Sequence, residues 1–278
     1  MHDATFSLRA RAWLLAPALS FFCAFWLLPM VVLVRISGGG HFLATYAAIL
    51  SDAGYLRSLL NTVALSAAVT AATLLLSTIT GLFLARHAFP GKSLVVALLG
   101  FPLIFPGVVV GFMVIMLGGR QGLIGVVSEK LLGDRWVFAY SMTGLFVGYL
   151  YFSIPRVVVT VMAAAGKLDP TLEEAARALG ASPLHITRDI LLPALRPALI
   201  AAGAICFATS MGAFGTAFTL ATEIDVLPMT IYTAFTLNAD MGTAAALSVV
   251  LGIVTWAALA LARGLGGGAS RTAGSAAA

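Results

Sequence analysis

The sequence predicts an all-α membrane protein with six transmembrane helices, and three observations predict it. Of its 278 residues, 60% are hydrophobic and 10% are charged, and the mean hydropathy is +1.03. A soluble domain carries about 25% charged residues and about 45–50% apolar ones. The apolar residues form six runs long enough to cross a bilayer, each crossing needing about 20 helical residues. The Lys and Arg residues between these runs are unequally divided, as the positive-inside rule requires of a chain with one orientation. A soluble globular enzyme is therefore excluded. The net charge of +5 is spread too thinly among apolar runs to form a basic stripe, so nucleic acid is not an expected partner and membrane lipid is.

The six runs are residues 13–34, 58–85, 94–117, 137–163, 197–222 and 242–262. The first follows Arg9 and Arg11 and opens like a signal peptide, but it outlasts a typical h-region. Leu27, Leu28 and Pro29 also stand where the small residues of a cleavage site belong, so it is expected to be retained. Pro102 and Pro106 interrupt the third run and Pro155 the fourth. Each lacks an N–H, which frees a carbonyl that needs either a neighbouring helix or a polar path. Pro106 and Pro155 are accordingly candidate path residues, with a plain kink as the alternative. The pairs Gly107 with Gly111 and Gly144 with Gly148 allow close helix approach, expected within the bundle rather than at a subunit seam.

An even number of spans leaves both termini on one side. That side holds Arg9, Arg11, Arg86, Lys92, Arg156, Lys167, Arg177, Arg188, Arg196, Arg263 and Arg271, which is 11 of the 16 basic residues. The other holds Arg35, Arg57, Arg120, Lys130 and Arg135, which is 5. The imbalance places both termini in the cytoplasm. Arg156 lies a little inside the fourth span, and the imbalance keeps its direction wherever that residue is counted. Its charge either faces the path, pairs across a subunit interface, or snorkels to the cytoplasmic lipid surface.

Two outer connectors, 35–57 and 118–136, are of medium length. The second carries Leu123, Ile124, Val127, Leu131 and Leu132 at helical spacing, the pattern of a short interfacial helix. Residues 1–263 read as one transmembrane domain, and the Gly-rich 264–278 as a flexible cytoplasmic tail.

Chemistry concentrates in the cytoplasmic loop 164–196, which holds nine of the chain's ionisable side chains: Lys167, Asp169, Glu173, Glu174, Arg177, His185, Arg188, Asp189 and Arg196. Asp169 is a fitting N-cap and Pro170 a fitting first helical residue, with Thr171 and Glu174 as an alternative capping box. Leu168, Leu172, Ala175 or Ala176, and Leu179 fall on one helical face. Glu173 and Arg177 stand four apart on the other. Gly180 stops the helix, because only glycine enters a left-handed cap without steric penalty. Ser182 and Pro183 then open a second helix that runs to a bend at Leu192-Pro193.

Glu174-Ala175-Ala176, three residues, Gly180, nine residues, Ile190, one residue and Leu192-Pro193 together reproduce a known signature. It resembles the EAA loop of permease subunits of binding-protein-dependent type I ABC importers, whose MetI-like fold has a transmembrane helical core. Leu60-Asn61-Thr62, the Pro-rich third span, Ile154-Pro155, and Leu227-Pro228 through Ile231-Tyr232 are similar to the polyamine, ferric-ion, sulfate and aminophosphonate branch. The resemblance implies that the helix 170–179 docks into a groove on a cytoplasmic ATPase dimer. Glu173, Glu174, Ala175, Ala176, Leu179, Gly180, Ile190, Leu192 and Pro193 are then the coupling residues. It implies a second permease subunit, homologous or identical, an extracytoplasmic solute-binding protein, and the bacterial inner membrane as location. No cofactor is expected on this chain; ATP and magnesium belong to the ATPase.

The residues agree that this chain is not itself an engine. It has no GxxxxGK[ST] phosphate loop. Its histidines, His2, His41, His87 and His185, show no metal-ligand spacing, and Cys23 and Cys206 sit inside apolar runs. Ser210-Met211-Gly212-Ala213-Phe214-Gly215 faintly resembles an intramembrane nucleophile motif but has no histidine in a partner span. It reads as packing, with Ser210, Gly212 and Gly215 lining a path as the functional variant. A stand-alone channel or secondary carrier is the alternative class, disfavoured by the lack of buried carboxylates. The outer acids Glu223, Asp225 and Asp240, in a loop free of Lys and Arg, either sit opposite basic residues of the docked binding protein or act on the solute, in which case they favour a polyamine-like cation over an aminophosphonate, ferric ion or sulfate-type anion.

The orientation has a direct test. Single cysteines placed at Ser182 and Ala239, in a background lacking Cys23 and Cys206, are expected to label from opposite sides of intact cells. Labelling of both by an impermeant external reagent would overturn the charge-based topology.

Overall fold

A computed structural model describes residues 8–39, 41–220 and 224–275, with side chains described over 14–39, 41–220 and 224–264. Among the described residues every regular element is helical. Six stretches are long and apolar enough to cross a membrane: Leu14–Gly38, Ala53–Arg86, Gly107–Leu132, Met142–Ala165, Pro183–Met211 and Met241–Gly264. Contacts divide the chain into two compact units, one of residues up to 56 with 231–250, the other of 57–230 with the chain from 251 onward.

In the first unit, helix α1 covers 8–38 and carries a π turn at Cys23–Leu27. Helix α2, Phe42–Ser51, is tied to its end by a 2.8 Å hydrogen bond between the Ser37 and Tyr46 hydroxyls.

The second unit holds most of the remaining spans, the last one being divided between the two units at residue 250. Helix α3 is Ala53–Arg86. Helix α4, Lys92–Gly100, passes into a 3-10 turn at Phe101–Ile104 and then stops. Phe105 and Pro106 are extended, with ψ of 131° and 149°, before helix α5 starts at Gly107 and runs to Gly118. The third span is thus two pieces rather than the single helix 94–117. A proline forces its predecessor out of the helical region, and Pro106 does that to Phe105. The expected interfacial helix is present as α6, Leu123–Leu132. Helix α7, Met142–Ala165, contains Pro155 without a break.

The fifth span also differs from the run 197–222. Helix α8 is Pro170–Ala178; α9 then extends without interruption from Pro183 to Met211, through a π turn at Thr187–Leu191. The π turn accommodates Pro193, which cannot donate, so the expected bend becomes a bulge in one continuous helix. Gly212 ends α9, and the short helix α10, Gly215–Leu220, follows. Helix α11, Leu227–Leu237, ends in a π turn, and α12 is Met241–Ser275. This last helix covers 264–275, where the sequence predicts a flexible tail. No proline follows Met241 to stop it.

The core of this unit gathers Leu145, Tyr149, Val157, Val161, Leu195 and Cys206 around α7 and α9. The glycine pairs pack inside the bundle, as expected. A methyl group on Gly111 would lie 2.6 Å from Thr219 Cβ, and one on Gly148 2.8 Å from Thr216 Cγ2. Side-chain hydrogen bonds then fix the broken helices. Thr216 donates to the Gly107 carbonyl at 2.9 Å, and the Tyr149 hydroxyl to that of Ala213 at 2.5 Å.

Two of the family-like motifs meet in space. Asn61 Nδ2 donates to the Asp225 carbonyl at 3.1 Å, and Thr62 Oγ1 accepts the Leu227 N–H at 2.8 Å. Leu60-Asn61-Thr62 therefore clamps the segment entering α11.

Candidate functional site

The hook between the fourth and fifth spans is built almost wholly from local signals. Asp169 Oδ1 accepts the Thr171 N–H at 2.9 Å, and Pro170 occupies the first helical position of α8. That backbone donor holds the Asp169 carboxyl below its usual range, so the cap is intact at neutral pH and is lost as pH falls through that lowered value. Gly180 adopts φ +84°, the left-handed conformation expected of it. Ser182 caps α9, accepting the His185 N–H at 3.4 Å.

Which face of α8 meets the bundle is the surprise. Glu173 is 6% exposed and its Oε1 lies 2.6 Å from Arg86 Nη2, at the end of α3. The contact is off the line of a directed hydrogen bond, so its attraction is mainly ionic. Arg177, the expected i,i+4 partner, stands further away at 3.7 Å and is mostly exposed. Glu173 is corrected from a solvent-face residue to the anchor of the hook. Around it lies a cleft of about 350 Å³, walled by Leu82, Phe83, His87, Ile186 and Leu191.

The leucine face points the other way. Leu172 is 59% exposed, Leu179 90% and Leu184 74%. Glu174 and Ala175 are exposed beside them and Ala176 is half-buried. Along α9, Ile190 is half-buried, and Leu192 and Pro193 are exposed. An amphipathic helix normally turns its apolar side inward. Here a buried ion pair holds Glu173 in and leaves Leu172 and Leu179 exposed, while Leu168, just before α8, is half-buried against the core.

A second feature lies where the third span breaks. A cavity of about 280 Å³ is lined by Pro102, Leu103, Phe105, Gly107, Phe152, Arg156, Thr209, Ala213, Gly215 and Thr216. Of the five path candidates, only Gly215 is in this wall. Pro106 lies between two lining residues without lining it, Pro155 is buried one residue before Arg156, and Gly212 is exposed in the turn after α9. Ser210 is 1% exposed, and its hydroxyl has no hydrogen-bond partner among the described residues. Sequence reading did not find Thr209 and Thr216, which carry no signal beyond lying near the glycines. Arg156 was visible as an intramembrane charge, and the structure places it on the cavity.

The ion pair makes a prediction. Removing one partner of a buried pair strands the other charge, so Arg86→Ala is expected to raise amide hydrogen exchange across 170–178 by about tenfold or more. The double exchange Arg86→Glu with Glu173→Arg should recover part of the protection. Unchanged exchange in Arg86→Ala would show that the pair does not hold the hook.

Comparison with known proteins gives the same architecture. The family model described as binding-protein-dependent transport system inner membrane component matches residues 77–267. The chain is 29% identical over 251 residues to the putative 2-aminoethylphosphonate transport system permease protein PhnU of Salmonella typhi, covering 88% of this chain and 87% of that one. It is 33% identical over 196 residues to the molybdenum transport system permease protein ModB of Escherichia coli K12, covering 68% and 85%. A crystal structure of a bacterial alginate ABC transporter, in complex with alginate pentasaccharide-bound periplasmic protein, contains a chain of the same fold. The TM-score is 0.77 at 18% identity, over 91% of this chain and 93% of that one. The chain belongs to the binding-protein-dependent transport system inner membrane components, as a non-catalytic permease subunit of an ABC importer whose ATP is hydrolysed by a separate ATPase.

Proposed function

We propose that this chain pairs with a second permease subunit, homologous or identical, and imports a small oxyanion delivered by a solute-binding protein. Membership of the family removes the channel and secondary-carrier alternative. In this reading both termini and residues 164–196 are cytoplasmic, and ATP and magnesium reside on an ATPase dimer docked at the hook.

The observation that carries the coupling role is the set of outward leucines on the hook, one in α8, one at its C-cap and one at the start of α9. Leu172, Leu179 and Leu184 are exposed, and each gains about 1.5–3 kcal/mol when fully buried. Small Ala175 and Ala176 permit close approach, Glu174 is free to meet a donor on the partner, and Gly180 sets the turn. Ile190, Leu192 and Pro193 carry the hook into α9.

For the solute, two relatives are named for 2-aminoethylphosphonate and molybdenum transport; a phosphonate presents anionic oxygens, as does molybdenum in its ordinary aqueous form, molybdate. The argument for a polyamine is correspondingly weaker. Asp240 Oδ1 accepts the Thr243 N–H at 2.9 Å, which holds its carboxyl below the usual range and places its charge at the N-terminus of α12. That charge offsets the positive end of the helix dipole. Glu223 lies outside the described residues. Oxyanion import is therefore favoured over the polyamine-like cation, ferric ion being a further cationic alternative.

Two measurements test these roles. Radiolabelled 2-aminoethylphosphonate or molybdate is expected to enter cells expressing the complete system, and not cells lacking this chain; uptake confined to putrescine or spermidine would reverse the solute assignment. Gly180→Val forces a β-branched residue into positive φ, which costs about 1–2 kcal/mol even for an unbranched one. It is expected to cut uptake by about tenfold or more while the assembled complex persists. Normal uptake together with normal solute-stimulated ATPase would remove the hook from the coupling path.

A further inference from the structure

We propose that the cavity at the break in the third span is a binding station for the oxyanion on its way through the membrane, with the Arg156 guanidinium as its ligand group. The proposal rests on the oxyanion reading of the solute and assigns it a place in this chain.

Arg156 lies in α7, nine residues before Ala165 and so roughly 14 Å from the cytoplasmic end of that helix. An arginine remains ionised in any protein environment. At the centre of a span such a charge costs about 2.5–3.5 kcal/mol on insertion scales, unless it faces water or a counter-charge. Arg156 is exposed on this chain, and no carboxylate among the described residues pairs with it. The ion pairs there involve Arg86, Arg135, Arg177 and Arg188, and no carboxylate lines the cavity. Nor does the guanidinium have a hydrogen-bond acceptor among the described residues.

The other polar groups of the wall are already engaged. The Thr209 hydroxyl donates to the Ile205 and Cys206 carbonyls at 2.9 Å each, and that of Thr216 donates to Gly107. Arg156 is therefore the side chain with donors to spare. Its planar fork matches two oxygens of a phosphonate or of a tetrahedral oxyanion. Phe105 and Phe152 supply an apolar wall that strengthens the attraction without adding a second cation. One arginine holds an anion weakly enough to release it, which a station on a path requires. The volume, about 280 Å³, lies at the lower edge of ligand-pocket sizes and fits a solute of few heavy atoms.

A phospholipid headgroup offers the same phosphate oxygens, and the test separates the two sources. The complete transporter is reconstituted in vesicles of phosphatidylcholine alone and of phosphatidylcholine with phosphatidylglycerol, and uptake of 2-aminoethylphosphonate and molybdate is measured. Arg156→Gln is expected to lower the maximal rate by about tenfold or more in both lipids, with Arg156→Lys keeping about a third of it. The half-saturating concentration, set by the binding protein, should not move. A second readout covers the case in which Arg156→Gln fails to assemble. In a Cys23→Ser, Cys206→Ala background, alkylation of Thr209→Cys by a small maleimide should be slowed by either oxyanion at millimolar concentration. Uptake by Arg156→Gln within twofold of wild type, or no slowing of alkylation, overturns the station. A loss confined to phosphatidylglycerol vesicles makes Arg156 a lipid anchor and overturns it equally. Normal wild-type uptake beside either result leaves the solute reading standing, whereas wild-type failure to import both oxyanions removes that reading and the station with it.

Discussion

The contact between Arg86 and Glu173 determines how the hook of residues 164–196 is presented. It joins the end of α3 to the middle of α8, a helix of nine residues with the Asp169 cap at its start. Isolated helices of that length are marginal in water. With Glu173 drawn inward at 8% side-chain exposure, helical geometry carries Leu172 and Leu179 outward. A leucine–bundle contact would have produced the opposite presentation and buried the leucines. Burying the charge pair gains little net stability, because desolvation opposes the Coulomb attraction. Its return is orientation, since a charge half-withdrawn from water has one place to go and the leucines have several.

From the hook, mechanical continuity runs through α9. Pro183 to Thr209 is one helix, about 40 Å of it, interrupted only by the π turn at Thr187–Leu191. Its cytoplasmic end carries the Ser182 cap, and near its far end Thr209 is part of the cavity wall. Helix α7 packs along it and contributes Arg156 to the same cavity. In the proposed function, a docked ATPase that shifts the hook shifts a wall of the cavity with it, as a rigid element and not through a relay of side chains. The π turn is where that rod departs from α geometry, close to its hook end.

The hook was largely legible in the sequence, because its determinants are local. An N-cap, a first-position proline and a glycine at positive φ act on their own few residues, so Asp169, Pro170, Gly180 and Ser182 behave as read. The partner of Glu173 was not legible. Arg177 sits four residues away and satisfies every local rule, whereas Arg86 approaches only after α3 and α8 have packed. The third span shows the same division. Pro102 and Pro106 announced a break, but the helix-to-helix contacts that shape the space beside it, Gly111 on Thr219 and Gly148 on Thr216, are tertiary.

Pro155 and Arg156 show why adjacency in sequence misleads at a path. Successive residues of a helix point about 100° apart, so one position separates a core contact from a cavity wall. Proline was the natural candidate because it disturbs the backbone, yet α7 absorbs it where surrounding helices pack tightly, and Pro155 is buried there. Arginine was hard to assign because its long side chain has two ways to satisfy its charge, at the lipid surface or within the protein. What decides between them is a neighbour's shape. The extended Phe105-Pro106 segment breaks the rod that α4 and α5 would otherwise form, and the cavity left beside the break is lined by Arg156, which is exposed there. The break in one span thus makes room for the charge in the next.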